Sequence, residues 1–167
     1  MHRAQKNETV FKERRVLVDS DACPVKHEIA EMADSLGVQA LFVASYLQYS
    51  ERQEGNWVYV DPDREAADLY IANHVRSMDI VVTWDMGLAG LLTNREVIVI
   101  TPSGYLIKDE DIPRVLYTRH IARKERAAGN RTKGPRAYTS ADRERFCRVL
   151  YNLLSDKNGE GHRRESR

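Results

Sequence analysis

Cysteine is scarce in this chain of 167 residues. Cys23 and Cys147 are too few and too far apart for a disulfide framework or a structural zinc site. The sequence also lacks any run of about 18 apolar residues, the length that crosses a membrane, and residues 1–15 lack the apolar core of a secretory signal. These absences favour a protein of the reducing cytoplasm with no membrane partner. The length is sufficient for one domain to bury a core without covalent support.

Charge is nearly balanced overall, at a formal net charge of +1, but it is unevenly distributed. Residues 1–15 carry five Lys and Arg against two Asp and Glu, and residues 16–113 carry six against 17. Residues 114–148 reverse the sign, with 11 against three. A basic module of this kind can bind nucleic acid, or it can be solvated or paired with the acidic body, and composition favours neither interpretation.

The pattern of apolar residues predicts an α/β fold. Five short segments rich in β-branched residues predict strands at 16–19, 38–45, 57–61, 80–85 and 97–101. Continuous apolar strands of this kind are usually covered by helices on both faces, as in a parallel sheet. Helical spacing predicts helices that begin at Pro24 and stop at Gly37, and over 64–75 and 86–92. The alternation of the two element types predicts right-handed crossovers.

After "TPSGY" the pattern predicts no further strand. It predicts a long helix over the segment that follows residue 108, then a loop with Gly134 and Pro135, then a last helix capped by Thr139 or Ser140. The predicted organisation is a basic N-terminal extension over 1–15, a single domain over 16–154 and a polar, disordered tail over 155–167.

Four aspartates lie where predicted strands give way to helices. Asp19 ends the first strand with Asp21 just beyond it, Asp85 follows the fourth, and Asp68 lies in the helix after the third. Taken singly, such an aspartate more often forms a turn or a helix cap. If the first and fourth strands are neighbours, the carboxylates can converge at the carboxyl edge of the sheet. Thr83 is a candidate to assist Asp85 or position a water, although a strand threonine usually only packs.

Converging carboxylates predict a particular chemistry. Hard oxygen ligands suit Mg²⁺ or Mn²⁺ better than zinc, because no His and Cys ligands are arranged around them. Such an ion can activate water against a phosphodiester and stabilise the leaving oxygen. The hypothesis is therefore metal-assisted phosphoryl hydrolysis.

Other side chains have competing interpretations. A helix start favours a Cys23 thiolate and the nearby aspartates oppose it, so a buried structural thiol is favoured, and Cys147 fits either core or helix surface. Arg119 falls near an apolar helix face and needs an anionic partner, for which an internal carboxylate is favoured slightly over a phosphate. Three loop residues are better candidates for phosphate contacts: Arg131, Lys133 and Arg136.

Several motifs occur together in a familiar order. They are "VDSDACPVKHEI", "EAADLYIANH", "DIVVTWDMGLA", "TPSGYLI", "RVLYTRH" and "KGP...TSADRERF". Over about residues 16–154 the chain resembles the YaiI/YqxD family of uncharacterised bacterial proteins, placed in the PIN-like nuclease superfamily. The resemblance implies a three-layer α/β/α domain with a central, mostly parallel sheet of about five strands and C-terminal helices. It also implies an acidic cluster that, in active relatives, binds divalent metal and cleaves RNA.

By position, the resemblance assigns family motifs to particular residues. Asp19 and Asp21 match the opening motif, Asp68 the "AAD" helix and Asp85 the "TxD" strand end. The remaining matches are Arg119, the Gly134-Pro135 loop, and Asp142 with Arg143. The chain departs from the family pattern at Trp84, at Met86-Gly87, at Lys133 and at Ala141.

Three functions are compatible with these observations. The first is a metal-dependent nuclease acting on RNA, with Mg²⁺ or Mn²⁺ on the four aspartates. The second is a nucleic-acid-binding or regulatory protein on the same scaffold without catalysis. The third is a phosphatase with Asp19 as nucleophile, Asp21 as acid and base, and Thr83 ending a later strand. The third ranks last because Asp109 and Asp111 do not follow the apolar strand that it requires.

Overall fold

A computed structural model of the chain describes residues 14–92, 95–131, 134 and 136–155. The predicted N-terminal extension lies outside the described residues except for positions 14 and 15, and the predicted tail does so except for position 155. Lys133 and Pro135 also lie outside them.

The centre of the fold is one six-stranded sheet, which confirms the predicted α/β class. Its strands are β1 (Val16–Asp19), β2 (Ala40–Ser45), β3 (Asn56–Val60), β4 (Ile80–Val82), β5 (Ile98–Ile100) and β6 (Leu106–Ile107). The spatial order is β3-β2-β1-β4-β5-β6. All neighbouring pairs are parallel except β5 and β6, which are antiparallel.

Five α-helices cover the sheet in the described part of the chain. They are α1 (Lys26–Leu36), α2 (Ala66–His74), α3 (Met86–Leu91), α4 (Ile112–Ala127) and α5 (Ser140–Ser155). Gly37 ends α1 in the left-handed conformation, at φ 66°. Thr139 begins α5 with a capping box, in which its hydroxyl accepts from the Asp142 amide at 3.2 Å and Asp142 accepts from the Thr139 amide at 2.9 Å. No helix among the described residues is long and apolar enough to cross a membrane.

The core has two halves, one on each face of the sheet. On one face, α1 and α5 contribute Ile29, Phe146 and Leu150, all fully buried, against the strand residues Val18 and Val82. On the other face, α2 and α3 pack their apolar residues against the strands, joined by Ile112 at the start of α4. Because the alternate side chains of each central strand enter opposite halves, the strands read as continuous apolar runs.

Several predicted element boundaries differ from the structure. Strand β4 ends at Val82 rather than at Asp85, since Asp85 already caps α3. Helix α1 begins at Lys26 rather than Pro24, because Val25 has non-helical backbone angles and Cys23 closes a turn onto Ser20. The expectation that strands end after "TPSGY" is also wrong, since these residues form the turn that leads into β6. Gly104 makes this turn possible, at φ +89° and so close to α5 that an added Cβ would lie 2.7 Å from the Phe146 nitrogen.

Candidate active site

The predicted acidic residues lie where the strand order reverses. Strand β1 pairs with β2 on one side and with β4 on the other. The chain therefore crosses from β1 to β2 in one direction and reaches β4 and β5 in the other, which leaves a crevice at the carboxyl ends of β1 and β4. Asp19 ends β1, and Thr83 and Asp85 follow β4, so all three lie at this crevice.

Hydrogen bonds through Thr83 hold the ends of the two strands together. The buried Thr83 hydroxyl donates to Asp19 Oδ2 at 2.9 Å and accepts the Asp85 amide, also at 2.9 Å. Burial raises the pKa of Asp19, the Thr83 hydrogen bond lowers it, and the charges of Asp21 and Asp85 raise it again. The net direction is upward, so the folded protein disfavours the ionised form of Asp19.

Asp85 caps the start of α3 while it faces the crevice. Its Oδ1 accepts from the amides of Gly87 at 2.7 Å and Leu88 at 3.4 Å. The guanidinium of Arg119, on α4, lies 3.8 Å from the same oxygen. The two side chains are 40% and 54% exposed, so this is a water-accessible pair rather than a buried ion pair.

Asp68 enters from the first turn of α2 and faces the same carboxylates. Partial burial, the charges of Asp85 and Asp19, and a hydrogen bond with Asp85 raise the pKa of Asp68 to about 7. With a pKa of about 7, the Asp68 carboxyl is partly protonated at neutral pH, which relieves part of this repulsion. The structure thus brings Asp19, Asp68 and Asp85 together at a site with excess negative charge.

Asp21 is exposed and is tied to the end of the neighbouring strand. Its Oδ1 accepts the Ser45 amide at 3.0 Å, at the last residue of β2. This contact turns Asp21 towards β2, although its charge still acts on Asp19. Asp21 therefore belongs to the rim of the crevice.

The donor set fits a hard divalent cation in chemistry but is not arranged as a closed cage. Within the described ranges, no group of three or more His, Cys, Asp or Glu side chains is placed so that it could hold a metal ion. Mg²⁺ typically keeps several waters and is bound through one or two carboxylates together with substrate phosphates. A pair of the crevice carboxylates meets that requirement, and a cation would balance their remaining negative charge.

The predicted basic and thiol residues fall in different places. Arg119 approaches Asp85, Arg131 is exposed beyond the end of α4, and Arg136 contacts a carboxylate at 2.8 Å in a second cluster. Cys23 is buried, as predicted, and burial raises its pKa to about 11, which leaves it a protonated thiol at neutral pH. Cys147 is partly buried.

Sequence reasoning missed that second cluster. Asp142 is 2% exposed and accepts hydrogen bonds from Arg136, Arg145 and both the amide and hydroxyl of Thr139. The Arg136 bond is foremost in lowering the pKa of Asp142, followed by the Thr139 amide. The spacing Thr139-x-x-Asp142 is a capping signal that could have indicated this carboxylate. The paired arginines could not be read from sequence.

Comparison with known proteins places the chain in a family. Residues 17–156 match the model of the "Uncharacterized BCR, YaiI/YqxD family". The chain is 44% identical to a UPF0178 protein of Bacillus cytotoxicus, over 87% of this chain and 95% of that protein. It is 48% identical to a UPF0178 protein of Bacillus velezensis, over 89% of each, and 44% identical to one of Halalkalibacterium halodurans, over 92% of this chain and 99% of that one.

No solved structure matches the chain. The family match covers the sheet and the helices described above, and the relatives are matched over nearly their whole length. The chain therefore belongs to the YaiI/YqxD family of bacterial proteins.

Proposed function

We propose that this protein is a Mg²⁺- or Mn²⁺-dependent phosphodiesterase that hydrolyses RNA in the cytoplasm. The observation that carries the proposal is the set Asp19, Asp68 and Asp85 at the crevice where the strand order reverses. Folding places three carboxylates close enough to repel one another there, and a bound cation would offset this repulsion. The PIN-like resemblance of the motifs that supply these residues supports the same chemistry.

The residues of the crevice have distinct roles in this proposal. A divalent ion would be held by Asp19 and Asp85, while Asp68 faces them from α2 and the exposed Asp21 adds negative charge at the rim. When bound, a divalent cation there would supply Lewis-acid stabilisation of charge on the phosphoryl and leaving oxygens. Thr83 keeps the carboxylates of neighbouring strands in register by bonding to both the Asp19 side chain and the Asp85 backbone. Arg119, beside Asp85, orients an incoming phosphate.

The basic C-terminal half supports a polyanionic substrate. Helix α4 begins at Ile112, which packs into the core, approaches the crevice at Arg119 and continues as an exposed basic helix. Arg123, Lys124 and, beyond the helix, Arg131 are all exposed. Exposed cations of this kind attract a phosphate backbone without reading its sequence.

The test is Mn²⁺-dependent cleavage of a fluorescent single-stranded RNA by highly purified protein. Asp19→Asn and Asp85→Asn keep the size of each side chain and remove its charge, so cleavage should fall at least about 100-fold in each. Asp34→Asn is the matched control, because Asp34 is exposed on α1, on the opposite face of the sheet from α2. Mn²⁺ affinity, measured by calorimetry, should fall in the first two variants and not in the third.

The outcomes separate the proposed function from its alternatives. If both site variants retain the cleavage activity, that activity comes from a contaminant and the proposal is refuted. Mn²⁺ and RNA binding without cleavage would favour a binding or regulatory protein. A phosphorylated aspartate trapped on Asp19 would favour the phosphatase.

A further inference from the structure

A second cleft opens next to the carboxylates, on the β5 side of the crevice. It has a volume of about 500 Å³, within the range of small-molecule sites, and is lined by Trp84, Ser103, Arg136, Tyr138 and Asp142. Trp84 immediately precedes Asp85, and Ser103 lies in the turn after β5. A molecule in this cleft would therefore lie next to the candidate active site.

Hydrogen bonds fix both aromatic walls of the cleft, and Trp84 is the more accessible of the two. The Trp84 indole N–H donates to the Ala22 carbonyl at 3.2 Å, and the ring is 42% exposed. The Tyr138 hydroxyl donates to the Pro102 carbonyl at 2.8 Å, and the two rings are nearly perpendicular, with centroids 6.4 Å apart. Tyr138 is partly buried, with the Arg143 guanidinium 5.6 Å from its ring centre, so the ring that can take a ligand on an apolar face is that of Trp84.

The cationic wall has a charge surplus. Arg136 and Arg145 both contact the Asp142 carboxylate, at 2.8 and 3.1 Å, so two positive charges meet one negative charge. The buried Asp142 holds Arg136 in place, yet the Arg136 side chain is 64% exposed. A guanidinium has five N–H donors, and this contact uses one of its nitrogens, so Arg136 retains donors for a phosphate.

We propose that this cleft binds one unpaired nucleotide of the substrate, with the base against Trp84 and its phosphate at Arg136. Flat aromatic faces with an adjacent cation are what proteins use to hold single-stranded nucleic acid. The bases of a duplex are stacked and paired, so they cannot enter such a cleft. The inference rests on the proposed function, and it specifies the substrate as single-stranded RNA.

The experiment measures binding in chelator, so that no metal-dependent cleavage occurs. The chain has two tryptophans. Trp57 of β3 stacks on Phe42 of β2, and replacing Trp57 by Phe leaves Trp84 as the sole indole reporter. Titrating this Trp57→Phe protein with a short single-stranded RNA should quench Trp84 emission. The same RNA annealed to its complement should quench it far less at equal concentration.

Variants then test the two walls by fluorescence anisotropy with labelled RNA. Trp84→Ala should weaken binding of the single strand by roughly 5- to 100-fold, the range found for loss of base stacking, whereas Trp84→Phe should retain most of it. Arg136→Gln should weaken binding and reduce its dependence on salt. Tyr151→Ala, which removes an exposed aromatic from the far end of α5, is the control and should bind as wild type.

The failure of this inference differs from the failure of the proposed function. Unchanged affinity in Trp84→Ala and Arg136→Gln, absence of quenching, or equal binding of duplex and single strand would overturn the inference, even if metal-dependent cleavage is found. If quenching and the variant effects are found without any cleavage, RNA binding in the cleft is supported and the proposed nuclease activity is refuted. If Trp84→Ala fails to fold, Arg136→Gln and the quenching experiment still decide whether the cleft binds single-stranded RNA.

Discussion

Replacing Asp68 by Asn should stabilise the metal-free protein. The amide keeps the shape of the side chain and can donate a hydrogen bond to Asp85, as the protonated carboxyl does, but it adds no negative charge. The interval between the ordinary pKa of 3.8 and about 7 corresponds to roughly 4 kcal/mol if nothing screened the charges. Because Asp68 is only partly buried, water screens the repulsion, and we expect about 1–2 kcal/mol.

An opposing effect reduces this gain. Asp68 lies in the first turn of α2, where a negative charge is favourable by about 0.3–1 kcal/mol. The net stabilisation is therefore about 1 kcal/mol, or a rise in Tm of roughly 2–4 °C for a protein of this size. The gain has a defined pH dependence, because the folded pKa of Asp68 is raised. It should be complete above about pH 7 and disappear below pH 3.8, where the aspartate is protonated in both folded and unfolded protein.

The assay is thermal and urea unfolding of wild type, Asp68→Asn and the control Asp34→Asn, in chelator and then with Mn²⁺. In chelator at pH 8, Asp68→Asn should be more stable than wild type. Mn²⁺ should narrow that difference, because the ion offsets the repulsion that Asp68 causes in wild type, and an ion at 100 times its Kd contributes about 2.7 kcal/mol to a protein that binds it. If Asp68→Asn is no more stable than wild type in chelator, the carboxylates do not repel one another and the reasoning fails.

Two further predictions test the surroundings of the site. Asp142→Asn should lower the free energy of unfolding near neutral pH, because the pKa of Asp142 is depressed in the folded protein. The loss should shrink in acid, where the wild-type carboxylate becomes protonated. Urea unfolding at several pH values measures this difference. Gly104→Ala should destabilise the fold by about 2–3 kcal/mol, since the new Cβ would meet the backbone of Arg145 and Phe146 within 3 Å at a positive φ. If the urea unfolding midpoint of either variant equals that of wild type, the contact described for that residue does not contribute to stability as argued.

The sequence carried enough information to predict the α/β class and the positions of the four aspartates. Strand type follows from local apolar runs, and Asp19 and Asp85 are recognisable because they end such runs. Strand order is not local, however, and the convergence of these residues depends on β1 pairing with β4. Strand β6 was missed because two residues carry no periodic signal and pair only through the turn at Gly104.

Partnerships of single side chains were less predictable than their positions. Arg119 was expected to meet an anion because of its place on its helix, and its 3.8 Å contact with Asp85 is of that kind. Arg136 was expected to contact phosphate, yet its closest partner is Asp142, six residues along the chain. That pairing depends on the loop conformation and on the α5 capping box, which composition does not specify.

Carboxylate charge is balanced within the fold at Asp142 but not at the crevice. Asp142 is surrounded by two guanidiniums and by Thr139, so its charge is balanced within the fold and its pKa falls. Asp68 faces Asp19 and Asp85, and the burial and charges around it all raise its pKa. A carboxylate needed only for folding is expected to resemble Asp142, because an unbalanced charge costs stability. The unbalanced set at the crevice therefore supports a partner of positive charge that comes from outside the chain.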